Sequence, residues 1–206
     1  MTADTEHFDT ALLKAALELA ALRGWRGLTV VDAARDAGLP LDEARSRFPC
    51  KAAILMRLGR LADESALRDD QLSGSARERL FDLLMRRIDV FQHYRDGVTA
   101  VLKGLPFDPA LAALLGAATV DSMAWLARTA GIETTGLRGL VRIKLVVGVW
   151  AMGIRAWMRD ESEDLAVTMA ALDGALDKAA RFDLFPTVDM PSHAVDIDPT
   201  AETTSI

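Results

Sequence analysis

The chain has 206 residues, half of them apolar and 26% charged, with a net charge of −6. That length accommodates one large helical domain or a small head on a larger body, and that balance excludes a disordered chain in favour of a well-packed or oligomeric globule. The longest apolar run, Leu145 to Ile154, is ten residues, against the roughly 20 that a transmembrane helix needs.

The first ten residues carry neither a basic nor an apolar signal region. The single cysteine, Cys50, cannot close an internal disulfide. Together these features read as a cytoplasmic, reduced protein with no membrane span. The acidic total hides an uneven distribution. Between Leu22 and Arg60 eight basic residues face four acids, so this stretch is at +4 and the remainder at −10. A mildly basic segment on an acidic body suits a DNA-binding head.

Residues 1 to 8 read as a frayed arm. From about Asp9 the apolar residues Leu12, Leu13, Ala16, Leu17, Leu19 and Ala20 recur at helical spacing until Gly24, a C′ glycine. Thr29 and Asp32 make the [ST]-x-x-[DE] capping box of a second helix ending near Ala37. Gly38 supplies the turn, and Pro40 is placed at the first position of a third helix whose apolar side is Leu41, Ala44 and Phe48. Arg45 and Arg47 lie off that side. Two short helices around a glycine turn suit a helix-turn-helix, whose second helix enters the major groove. Asp42 and Glu43 in its first turn are read as partners of the helix dipole, in preference to acceptors for a cytosine amine.

A fourth helix runs from Pro49 to about Leu67, and Arg68 to Ser75 reads as a connection. Helical patterns follow at about 76–94, 96–103, 109–129, 137–159 and 163–182, the last with Ser162 as N-cap and Glu163 and Asp164 in its first turn. Leu165, Met169, Leu172, Leu176 and Ala179 form a heptad-like seam on it. The preceding helix carries Val149, Trp150, Met152 and Trp157, with Gly148 and Gly153 permitting close approach. Two helices this apolar could pair within the monomer. The favoured reading is a four-helix interface in a homodimer, through Val149, Trp150, Met152, Trp157, Met169, Leu172 and Leu176. The proline-containing, acidic tail from Pro186 is read as disordered.

No strand alternation, P-loop, nucleophile elbow or Cys/His metal spacing is present in the sequence, so nothing nominates an enzyme, a metal site or a cofactor. Cys50, at a helix N-cap position, is read as a small capping residue rather than a reactive thiol. The five residues Asp160 to Asp164 are read as a solvated turn and helix start.

The head residues Ala15-Ala16-x-x-Leu19, Gly24-Trp25, Leu28-Thr29, Ala37-Gly38-Leu39 and Phe48-Pro49-x-Lys51 resemble the head of TetR-type bacterial transcriptional regulators. The resemblance implies an all-α fold with a three-helix helix-turn-helix head at 1–49, a helical-bundle body at 50–185 for ligand binding and dimerisation, and a disordered tail at 186–206. It implies double-stranded operator DNA as partner, with Thr29, Lys51 and Arg26 on phosphates and Leu41, Arg45 and Arg47 as base readers. Pro40, Arg45 and Arg47 depart from the family's usual Ser or Thr, Tyr and His. The body implies a small apolar or lipid-like ligand, with Met85, Phe91, Tyr94, Met123 and Trp125 as candidate liners. A second resemblance, from about Trp125 to Phe182, is to a TetR-folded accessory protein of ubiquinone biosynthesis that holds a lipid and has lost DNA binding. This is the alternative function.

Overall fold

The computed structural model describes residues 3–68, 73–182 and 184–185. Among them are nine α-helices and two 3-10 turns, and no strand. In order these are α1 (Ala3–Arg23), a 3-10 turn (Trp25–Gly27), α2 (Val30–Asp36), α3 (Leu41–Arg47), α4 (Lys51–Leu67), α5 (Ala76–His93) and α6 (Arg95–Gly104). A second 3-10 turn (Leu105–Phe107), α7 (Pro109–Thr129), α8 (Gly136–Trp157) and α9 (Ala166–Ala180) complete the fold. The tail assigned to disorder lies outside the described residues.

Local chemistry sets the first boundaries as expected. The Thr29 hydroxyl accepts from the Asp32 amide at 3.1 Å, while the Asp32 carboxylate accepts from the Thr29 amide at 3.0 Å. Two amides at the start of α2 are thus satisfied reciprocally. Gly38 adopts φ 64°, the left-handed conformation that closes the turn into α3. Pro40 sits one position earlier than expected, as N-cap of α3, where its missing N–H still costs no helix bond.

The N-terminal arm is corrected. Residues 3 to 8 continue α1, and Phe8 is buried with Leu12, Leu13 and Leu17. Fully burying each large side chain of this kind contributes about 1.5–3 kcal/mol, which offsets the ordering entropy an isolated arm could not. One apolar core runs from Phe8 through α4 and α5 to Leu184.

The start of α9 is also corrected. The helix begins at Ala166, and Leu165 before it takes a left-handed φ of 57° with its side chain buried. Such a conformation costs about 1–3 kcal/mol and persists only where neighbours over-determine it. Asp160 does so. Far from solvated, it is buried, and its Oδ2 accepts from the amide and the hydroxyl of Thr168, both at 2.7 Å. Its Oδ1 accepts from the Ser162 amide at 3.0 Å and from the Ser162 hydroxyl. The hydrogen bond from the Ser162 side chain, followed by those from Thr168, holds this carboxyl far below the ordinary carboxylate range.

Two glycines fix how the layers meet. A Cβ on Gly97 of α6 would lie 2.4 Å from the Leu17 carbonyl oxygen, so α6 and α1 touch backbone to side chain and backbone. A Cβ on Gly153 of α8 would lie 2.5 Å from Leu172 Cδ2, which lets α8 and α9 close on each other within one chain. By length and composition α7 could cross a membrane. Thr119, Asp121 and Ser122 interrupt the apolar run along this helix. In this fold α7 packs on α4, α5 and α8 and buries Met123, Leu126 and Ala127, as a core helix of a bundle does.

Candidate DNA-binding face and ligand cavity

The helix-turn-helix exposes Arg26, Thr29, Leu41, Asp42, Glu43 and Arg45, while Ala44 and Phe48 anchor α3 in the core. Leu41 departs from its expected apolar side and is exposed. Arg45 donates to the Pro49 carbonyl at 2.5 Å across the end of α3, with its side chain on the surface. Lys51, half-buried, donates to the Trp25 carbonyl at 3.3 Å and lies over the Trp25 ring. Among these residues the head thus exposes two arginines, Arg26 and Arg45, and two acids, Asp42 and Glu43.

Arg47 is placed differently from the base-reading role assigned to it. Its Nε donates to Asp9 at 2.8 Å, its Nη2 to the Thr5 carbonyl at 2.7 Å and its Nη1 to Glu43 at 3.2 Å. The guanidinium also lies 4.9 Å from the Phe8 ring centroid. It is held there by Asp9 of the expected helix together with Thr5 and Phe8, which belong to the stretch expected to be a frayed arm. The hydrogen bond to Asp9 raises its pKa further above its ordinary value, so its charge is fixed. Asp9 also faces the buried Arg57 of α4 at 3.7 Å. One carboxylate therefore links the third helix to the helix that enters the body.

The body holds a cavity of about 440 Å³ among α4, α5, α6, α7 and α8, lined by Leu58, Phe91, Val101, Leu115, Trp150 and Ile154 among others. Its size falls in the range of small-molecule sites. One polar cluster interrupts the apolar wall. Arg87 Nη1 donates to the Ser122 hydroxyl at 2.7 Å and pairs with Asp63, and Ser122 donates to Asp63 at 2.5 Å. The guanidinium lies 5.1 Å from the Trp150 centroid and 5.7 Å from that of Phe91. Burial pushes its pKa down to about 10. The charge remains at neutral pH but is held at a desolvation cost.

Of the five expected liners, only Phe91 reaches this cavity. Met85 is half-buried against the core, Met123 is fully buried in it, and Trp125 is 57% exposed on the outer side of α7. Tyr94 lines a separate cleft between α1 and α6, with Lys14, Glu18 and Arg95. The misplacements share a cause: periodicity identifies apolar faces, but not which face borders empty space.

The expected dimer contacts need a similar correction. Val149, Trp150, Trp157, Leu172 and Leu176 are buried within the single chain. Trp157 donates its indole N–H to Gln92 at 2.8 Å, and Trp150 belongs to the cavity wall. Met169 is half-buried, and Met152 is exposed. The heptad-like seam of α9 is thus used against α8, through the gap at Gly153. What stays exposed is a different set: Leu137, Val141, Lys144, Gly148 and Met152 on α8, and Val167 and Ala170 on α9.

No family model and no curated protein sequence matches the chain. Solved structures do. A TetR transcriptional regulator from Nitrosomonas europaea aligns with a TM-score of 0.70 at 23% identity, covering 84% of this chain and 98% of that one. A TetR transcriptional regulator from Rhodococcus sp. RHA1 aligns with a TM-score of 0.58 at 17% identity, covering 85% and 96%. Taken with the capping box and the Gly38 turn, these alignments give the conclusion on architecture: the chain has the TetR fold, a helix-turn-helix head on a larger all-α body.

Proposed function

We propose that this chain is a homodimeric, ligand-responsive transcriptional regulator that binds operator DNA and acts as a repressor. The observation that carries the reading is the physical continuity of α4 between the two candidate sites. At its start stands Lys51, beside the helix-turn-helix; midway, Arg57 meets Asp9, which holds Arg47 of α3. Leu58, the next residue, and Asp63, between one and two turns on, line the cavity. A ligand that fits the cavity better with α4 displaced would move the third helix with it, and only such differential affinity shifts an equilibrium.

In the dimer two α3 helices would enter successive major grooves about 34–36 Å apart. Arg26, Thr29 and Lys51 would engage phosphates, and Leu41 and Arg45 would carry base reading. Asp42 and Glu43 keep their dipole role, Glu43 with Arg47 as an added partner. The dimer would form through the exposed set on α8 and α9, where glycine and alanine let helices approach. The chemistry of this surface and cavity suits a regulator that is no enzyme and works in the cytoplasm.

The test is titration of the gene's upstream DNA at increasing salt. Specific binding with a steep negative salt slope, weakened in Arg45→Ala and Lys51→Ala, supports the reading. Absence of binding at low salt would sink it. The alternative, a lipid carrier of the same fold linked to ubiquinone biosynthesis, draws on one observation. The outer side of α7 and the turn before it expose Phe107, Leu114, Val120 and Trp125. Co-purified isoprenoid lipid without DNA binding would favour it.

A further inference from the structure

The buried guanidinium in the cavity is only half used. Arginine offers five N–H donors in a planar fork, and the edge formed by Nε and one terminal nitrogen matches the two oxygens of a carboxylate. In this protein both hydrogen-bonded partners of Arg87, Asp63 and Ser122, sit on Nη1. Among the described residues Nε has no hydrogen-bond partner, and it is buried beyond the reach of water, so an incoming carboxylate must displace a neighbouring group to engage it. An unpaired buried donor costs about 1–3 kcal/mol, more in a charged group. Trp25 Nε1 and Arg79 Nε are in the same state, and what sets Arg87 apart is that its side chain lines the cavity.

The surroundings specify what could. Phe91 and Trp150 flank the guanidinium and line the cavity with it, so an incoming group arrives beside apolar ring faces. The rest of the wall, on four further helices, is mostly aliphatic, with Arg60, Thr119 and Asp121 as further polar members. Among the described residues Asp63 is the only acid on Arg87; it is itself 27% exposed and is shared with the Ser122 hydroxyl. Arg60 at the rim gives the cavity a second cation, against Asp63 and Asp121. An incoming anion therefore meets a balanced set of charges, and the free edge of Arg87, rather than net potential, would select it.

We propose that the cavity takes an apolar monocarboxylate, its acid group seated on the free edge of Arg87 and its hydrocarbon body against Leu58, Val101, Leu115 and Ile154. The assignment rests on reading the cavity as a ligand site, and it deepens that reading from "apolar" to "apolar acid". It does not depend on DNA binding.

The experiment uses the full chain and three probes of one length: decanoate, decanol and decylamine. Binding is followed by calorimetry and by tryptophan emission, since Trp150 lines the cavity. Decanoate should bind at least tenfold more tightly than either neutral or cationic probe. In the double variant Arg87→Met/Asp63→Leu, which removes both charges together and avoids stranding one, the preference for decanoate should vanish while decanol binding is kept. Decanol equal to or tighter than decanoate would overturn the acid assignment while leaving the cavity as a ligand site. A preference unchanged in the double variant would overturn it as well. Binding of none of the probes would overturn both the assignment and the ligand-site reading. Any of these results leaves the operator-binding test standing on its own.

Discussion

Arg47 in the head and Arg87 in the body are both largely withdrawn from water on helices of one chain, yet their surroundings differ. Arg47 meets two carboxylates, a carbonyl and a ring, with every nitrogen engaged. Arg87 has one acid and one hydroxyl on a single nitrogen, and a buried Nε with no partner. The first arrangement raises the pKa and the second lowers it to about 10. The lesson is that burial alone does not assign a role to a charge. Complete satisfaction marks a structural clamp, whereas incomplete satisfaction in a cavity wall marks a place where something else belongs.

The largest effect should come from breaking the incomplete pair. Arg87→Met leaves Asp63 without its cation; removing one partner of a fully buried pair costs about 3–5 kcal/mol, and the loss here falls at the lower end because Asp63 is 27% exposed. Chemical denaturation should show that loss, with most of it restored when Asp63→Leu is added. If the double variant is as unstable as the single one, the cluster is a clamp like that of Arg47 and the contrast collapses. Arg47→Ala should cost less, about 1–3 kcal/mol in the same measurement, because Asp9 retains Arg57. That loss should be accompanied by faster exchange of the first amides of α1.

Asp160 sharpens the contrast, since it is a body charge with all its bonds made. Its folded pKa lies below the unfolded value, so its stabilisation is complete above the ordinary carboxylate range and drains away as pH falls through the folded value. Asp160→Asn should lower Tm at pH 7 and flatten the loss of stability on acidification. A wild-type acid slope in the variant would contradict this account. The smallest effect on stability, within about 0.5 kcal/mol, belongs to the exposed Arg45→Ala. The same change should reduce operator affinity, which Arg47→Ala should do only to the extent that it loosens α3.

Much of the fold could be read from local signals. The Thr29 capping box, the Gly38 turn and the 3.6-residue spacing act within a few residues, so the sequence displays them directly. Distances between elements are not displayed. Asp9 and Arg47 are 38 positions apart, and nothing local says that a helical arm returns across the third helix. Arg87 did leave a trace: it occupies an apolar-face position of α5, in line with Leu80, Leu84, Ile88 and Phe91. A charge on that line signals a buried partner or a site more directly than the methionines and aromatics around it do. Trp150 and Trp157 were taken for interface residues because hydrophobicity cannot distinguish an inner wall from an outer one.

Gly97 has a bearing on how such proteins can be recombined. Exchanging heads between chains of this architecture would naturally be done by cutting at the single covalent crossing near residue 49. The joint, however, also runs through the point where α6 rests on Leu17, with no room there for even one methyl group. A foreign first helix would have to match that contour as well as the splice. Chimeras should therefore couple body to head only when α1 and α6 are transplanted as a matched pair, and grafts that ignore the match should fold loosely or respond to ligand without moving the head.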